Sequence, residues 1–180
     1  LDLQHARQRG GERLAERRQV VIGHPADERP QRGVEHGLAI EHREGPVGLV
    51  LSRQKLPVID ASKLAGPAGL AKGAYVLAES TGGAPRLILI ASGSEVALAL
   101  EARQKLESES IPTRVVSLPC WERFELQDRA YIDAVLPPSV RKRVSIEIGV
   151  TLGWDRWVGD GGAIIGLDHF GASAPAGTIF

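Results

Sequence analysis

Few side chains in this sequence are placed to do chemistry, and the strongest is Arg53. It follows a short apolar run, Val47–Leu51, at the point where an α/β sheet presents groups to a ligand. Its planar, permanently charged guanidinium suits a phosphate monoester, with Ser52 and Gln54 orienting the loop. On local sequence alone, a surface ion pair is the simpler reading of Arg53. Ser92-Gly93-Ser94 lies between an apolar run and a helical pattern and could cradle an anion on free helix N–H groups. It lacks the glycine pattern of a dinucleotide or P-loop site, so tight turning with Ser94 as helix cap is the plainer reading.

The remaining polar candidates read as structural. Glu147 closes an apolar strand and could be an acid or base if its pKa were raised. A carboxylate receiving backbone hydrogen bonds or an ion pair explains it more simply. Asp168-His169-Phe170 resembles a dyad, but adjacent residues on an extended segment face opposite ways, so His169 reads as a packing or interface residue. Cys120 stands beside Trp121 with no histidine or aspartate nearby to mark a catalytic thiol, and reads as a small, partly buried filler. Trp154 and Trp157 share a helical face that meets a core or a partner subunit. No His, Cys or Asp cluster has metal-ligand spacing.

The elements that must hold these residues alternate. Strands are expected at Val47–Leu51, buried and ending at Ser52-Arg53, and at Ala74–Ala78, with a turn at Thr81-Gly82-Gly83. A continuous apolar strand at Leu87–Ala91 leads through Ser94 into a helix over Glu95–Ser108. A strand at Arg114–Leu118, a helix at Arg123–Val135 and a strand at Arg143–Glu147 come next. Then come a short aromatic helix at Trp154–Val158 and a strand at Ala163–Leu167, and Ser173 with Pro175 announces a further helix. The fold class is therefore α/β, a mostly parallel sheet with helices on both faces.

Composition bounds the rest. The 180 residues suffice for one domain and part of another, and 43% hydrophobic content with zero formal net charge fits a globular protein. Balanced charge offers no general attraction to nucleic acid or an anionic membrane, and no apolar run reaches the length of a membrane span. One cysteine excludes an internal disulfide and points to a reducing cytoplasm. The absence of methionine, and an end at Phe180 just past a helix-start signal, read as an internal fragment.

Residues 1–44 differ in character from the remainder of the chain. They hold eight of the seventeen arginines, four of the five histidines and eight acidic residues, with no lysine and no aromatic. Apart from Val20–Ile22 there is little apolar periodicity. A solvated, partly disordered arm is one reading; a basic binding arm is a weaker one, since the acids cancel the arginines. A third is translation in a wrong frame of a GC-rich gene.

Three segments together resemble the C-terminal part of a transketolase: GWDRWVGDGGAIIGLDHFGASAPA at Gly153–Ala176, LSRQKLPVID at Leu51–Asp60, and LILIASGSEVALAL at Leu87–Leu100. The match holds register over about Gly45–Phe180. Deoxyxylulose-phosphate synthase and the homodimeric pyruvate dehydrogenase component share the fold but do not combine these segments. The resemblance implies a remnant of the thiamin-pyrimidine-binding domain at 1–60, a linker at 61–72 and the C-terminal domain at 73–180, truncated at its last helix. It implies that Arg53, in LSRQ, holds the phosphate of a sugar phosphate. It bears on residues 1–44 as well: one back-translation of Glu28–Gly37, shifted by one base, reads NDRNEAWSTA, similar to the family's text before EHREGP at Glu41–Pro46.

Transketolases transfer a two-carbon ketol unit from a ketose phosphate to an aldose phosphate. They are homodimers using thiamin diphosphate and a divalent cation, Mg²⁺ or Ca²⁺, in the pentose phosphate pathway or the Calvin cycle. This chain departs from the family plan. Nothing matches the metal site, the activating glutamate or the aromatic that stacks on the pyrimidine. The GEDGPTHQ loop should fall within residues 1–20, where RQRGGERLAE stands instead, so His5 and His24 do not inherit its histidine. The resemblance implies no catalytic, cofactor-binding or metal residue here, and an isolated chain without activity. The contrasting reading is a non-catalytic α/β dimerisation or regulatory module of a thiamin-diphosphate enzyme, such as deoxyxylulose-phosphate synthase or a 2-oxo acid dehydrogenase component.

Overall fold

A computed structural model describes residues 19–23, 37–43, 45–51, 56–60 and 63–171. Ser52, Arg53 and Gln54, the helix signalled by Ser173 and Pro175, and His5 and His24 lie outside the described residues.

The apolar run at Val20–Ile22 belongs to a strand, β1 (Gln19–Gly23), which pairs in parallel with β2 (Val47–Leu51). The register sets Gln19 against Val47 and Gly23 against Leu51. The strand coincides with the one apolar run singled out within residues 1–44. β2 is not the buried strand its apolar text predicts, because Val50 and Leu51 are exposed among the described residues. The expected linker is also partly ordered, since Pro67–Lys72 forms a 3-10 helix.

The main sheet has five strands in the order β3 (Tyr75–Ala78), β5 (Thr113–Ser117), β4 (Leu87–Ala91), β6 (Arg143–Ile146), β7 (Ala163–Ile165). All neighbours are parallel except β3, which runs antiparallel to β5 with an irregularity between Val76 and Ala78. The predicted α/β class holds. β4 is central and buried on both faces, which explains its unbroken Leu-Ile-Leu-Ile-Ala text.

Alternation along the strands divides the core into two layers. Leu89, Ala91, Val115 and Ile146 face α1 (Glu95–Ser108), which contributes Val96 and Ala99. Ile88, Ile90 and Val116 face the other way, onto α2 (Trp121–Glu125), α3 (Arg129–Val135) and α4 (Asp155–Val158). The largest side chains of that second layer are Phe124, Trp154 and Trp157. The Trp121 ring meets Trp154 edge-on at 5.0 Å and Trp157 at 6.1 Å, which favours the T-shaped contact of aromatic quadrupoles.

The helix expected over Arg123–Val135 is two helices. Asp128 interrupts it in an extended conformation, φ −64° and ψ 158°, and its carboxylate accepts the Tyr131 N–H at 2.7 Å. That cap satisfies an orphan donor of α3 and starts a new helix instead of continuing the old one.

Candidate functional site

The parallel strands β4, β5, β6 and β7 bring their carboxyl ends to one edge of the sheet. From β4 the chain passes through α1 to β5 on one side, then returns across β4 to β6 on the other. The strand order therefore reverses at β4, and the carboxyl ends of β4 and β6 form the switch point at which open α/β sheets bind ligands. Ser92 follows β4 there and Glu147 follows β6.

In this chain a side-chain hydrogen bond spans that switch point. Ser92, 1% exposed, donates its hydroxyl to Glu147 Oε2 at 2.7 Å, across 55 residues of sequence. The second carboxylate oxygen, Oε1, accepts the Gly149 N–H at 3.1 Å. The Glu147 backbone N–H continues the sheet to Ile165 O at 3.0 Å. Glu147 is thus a structural carboxylate, tied to a hydroxyl and a backbone amide.

Ser94 departs from its expected role. It occupies the N-cap position of α1 in helical conformation and makes no capping bond; its hydroxyl goes to Glu95 Oε1 at 2.7 Å. The neighbouring carboxylate takes the hydroxyl that would otherwise cap the backbone. Burial pushes the Glu95 carboxyl above the ordinary range; the Ser94 bond opposes this, and the nearby charge of Glu147 reinforces it. An anion entering the turn would face two carboxylates, so the local field disfavours the phosphate cradle considered from the sequence.

Further along the same edge, Asp168 is bound by Thr151. The Thr151 backbone N–H donates to Oδ1 at 2.8 Å, and the Thr151 hydroxyl lies 2.9 and 2.8 Å from Oδ1 and Oδ2. These bonds, the backbone one first, hold the Asp168 carboxyl below its ordinary range. His169 is exposed, with Nδ1 2.9 Å from the Phe170 carbonyl oxygen, so it packs into no core of the described residues. Asp168 and His169 make no hydrogen bond to each other.

Cys120 is 1% exposed, and burial pushes its thiol up to about 11, the opposite of an activated nucleophile. Among the described residues no group of three His, Cys, Asp or Glu side chains could hold a metal ion, so a divalent cation finds no ligand set there. No helix among them is long and apolar enough to cross a membrane.

Sequence reasoning missed the Ser92–Glu147 bond, because it depends on β4 and β6 being neighbours. It also missed Glu79, which forms an ion pair with Arg114 at 2.7 Å. Arg114 itself is 9% exposed and donates to the carbonyl oxygens of Ala134 and Val135, locking β5 to the end of α3. An arginine inside a text that reads as a buried strand was the available signal for a satisfied ion pair.

Known proteins resemble this chain closely. The family described as transketolase-like TK C-terminal domain matches residues 73–180. A transketolase of Geobacillus stearothermophilus is 48% identical over 142 residues, covering 79% of this chain and 21% of its own length. A solved transketolase from Leishmania mexicana superposes with a TM-score of 0.79 at 33% identity, covering 96% of this chain and 24% of that one. A transketolase from Pichia stipitis, solved in complex with sedoheptulose-7-phosphate, gives 0.75 at 34% identity, covering 89% and 22%. The chain thus spans about a fifth of the length of the curated relatives it matches.

Proposed function

This chain belongs to the transketolase family, and from that membership we propose that it is the C-terminal part of an enzyme moving a two-carbon ketol unit between a ketose phosphate and an aldose phosphate. The observation that carries this reading is the 48% identity over 142 residues to a transketolase, together with a matching fold.

Within that enzyme the chain's own contribution would be small and specific. Arg53 is proposed to hold the phosphate of the sugar substrate. Strand β2 ends at Leu51, beside Gly23 of β1, so the chain reaches Arg53 two residues beyond the carboxyl end of a parallel pair. A guanidinium there can give two parallel N–H bonds to a phosphate dianion, which selects phosphorylated sugars and fixes where the far carbon lies. A relative solved with sedoheptulose-7-phosphate supports this substrate class.

Thiamin diphosphate would supply the carbanion chemistry when bound, with a divalent cation on its diphosphate. Both are proposed to be held by portions of the parent enzyme other than this chain, as the family resemblance implies. The proposed organisation is an end of the pyrimidine-binding domain at 1–60, a connector at 61–72 and a C-terminal domain at 73–180. The parent enzyme is proposed to be a cytoplasmic homodimer. The Ser92–Glu147 hydrogen bond across the switch point favours a scaffolding role for the C-terminal domain over a catalytic one.

Thermal unfolding with and without thiamin diphosphate and Mg²⁺ tests this assignment. The melting temperature of the isolated chain should not move, since only a ligand that binds the folded state raises it. A saturable rise would place a cofactor site inside these residues and overturn the division of labour.

A further inference from the structure

On the side of the sheet where β6 begins, away from the switch point, the end of α2, α3, the start of β6 and α4 enclose a cleft of about 340 Å³. Three arginines line it, Arg129, Arg143 and Arg156, against two acids, Glu125 and Asp133. One positive charge is therefore in excess.

Arg143 carries that excess. Its guanidinium donates to the carbonyl oxygens of Val140, Trp157, Leu136 and Pro137, each at 3.0 Å, and it makes no ion pair with a carboxylate among the described residues. Four neutral acceptors fix the group rigidly, and the charge of Asp133, itself paired with Arg129, acts on it without a direct ion pair. Burial, the largest cause, pulls the Arg143 guanidinium below its usual range; the charge of Asp133 opposes this and that of Arg129 adds to it. An anion in the cleft would relieve that strain on the charged form.

The other two arginines can be recruited. Arg129 pairs with Asp133 at 2.9 Å, yet its side chain is 76% exposed. Arg156 pairs with Glu125 at 50% exposure and stacks 5.9 Å from the rings of Trp121 and Trp157. Exposed ion pairs of this kind contribute little to stability, so exchanging a carboxylate for a better anion costs little. A wall of Ile132, Leu136, Pro138 and Trp157 leaves room beside the charged end for a small organic body.

We propose that this cleft binds a small anion of the phosphate class, held by Arg129 and Arg156 over the fixed guanidinium of Arg143. The inference does not depend on the ketol-transfer reading. Two sources share the chemistry, free phosphate and the phosphoryl group of a small monoester.

All three tryptophans of the chain belong to the ring cluster at this cleft, so intrinsic fluorescence reports on it. The full 180-residue chain is titrated at low ionic strength with inorganic phosphate, with glycerol 3-phosphate, and with succinate, against NaCl of equal ionic strength. Calorimetry accompanies it to read binding that leaves the indoles silent. Saturable phosphate binding is expected, at about millimolar Kd for the few charge-assisted bonds of a free ion. The double variant Arg129→Gln/Arg156→Gln, which keeps Arg143 and an unchanged circular dichroism spectrum, should bind at least about tenfold more weakly. Tighter binding of the monoester identifies the organic phosphate as occupant, and equal binding identifies the free ion. No binding beyond the NaCl control, equal binding by the double variant, or succinate binding as tightly as phosphate would each overturn the proposal.

Discussion

If the Ser92–Glu147 bond closes the switch point as a structural latch, removing it should lower stability by a definable amount. Ser92 is 1% exposed and gives its hydroxyl to one oxygen of the Glu147 carboxylate at 2.7 Å, while Gly149 serves the other. A hydrogen bond to a charged group contributes about 1.5–3 kcal/mol. Ser92→Ala should cost an amount in this range, lowered somewhat by the Gly149 N–H that still holds the carboxylate. Glu147→Ala should cost about as much, because it strands the buried hydroxyl. The double variant should fall short of the sum by roughly 1–2 kcal/mol, since both substitutions remove one shared interaction. Urea unfolding of the four proteins, followed by circular dichroism, measures the coupling directly. Agreement with additivity to within about 0.3 kcal/mol would refute the latch and reopen Glu147 as a group held free for a ligand.

Two further perturbations test neighbouring parts of the account. Gly73 and Gly83 both have left-handed backbones, φ 83° and 108°, but a Cβ at Gly73 would lie 2.4 Å from Cys120 O and Phe124 N, whereas at Gly83 it meets nothing within 4 Å. Gly83→Ala should therefore cost about 1–2 kcal/mol from backbone conformation alone. Gly73→Ala should cost about 1–3 kcal/mol more through overpacking against α2. Equal losses in urea unfolding would show that the Gly73 contact does not constrain the fold. Glu95, whose carboxyl is raised by burial, favours its protonated form when folded. Its stability penalty is present at neutral pH and disappears as pH falls through the raised value. Glu95→Gln should accordingly be more stable than the parent at pH 7, and the difference should shrink between pH 7 and pH 4; a difference that widened on acidification would contradict the burial argument.

The sheet was legible wherever a residue's own neighbours in sequence decide its environment. Leu87–Ala91 is apolar at every position because helices cover both faces, and the run, the Gly93 turn and the helix after Ser94 can all be read in order. Local reading failed where a side chain chooses among competing partners. Ser94 is placed to cap α1, yet its hydroxyl goes to Glu95. Asp128 splits one expected helix into two by capping the second, and an Asp three residues before Tyr131 was a signal that could have been weighed. Interactions set by strand order lay beyond reach. Ser92 meets Glu147, and Arg143 lies beside Trp157, only because β6 returns past β4 and carries α4 with it. Arg53, the site residue with the best sequence argument, lies outside the described residues, and its role rests on its LSRQ context.

The central claim is that this chain is a working C-terminal part of a transketolase whose Arg53 binds substrate phosphate. Its most direct test is a chimera in which residues 45–180 replace the matching portion of the Geobacillus stearothermophilus enzyme. The account predicts ketol transfer by the chimera with thiamin diphosphate and Mg²⁺. Arg53→Ala should then lower kcat/KM for phosphorylated sugars by about 30–160-fold, the loss of a charge-assisted contact of roughly 2–3 kcal/mol, with unphosphorylated substrates little affected. A folded, dimeric chimera without ketol transfer, or an Arg53→Ala variant that handles sugar phosphates unchanged, would contradict it.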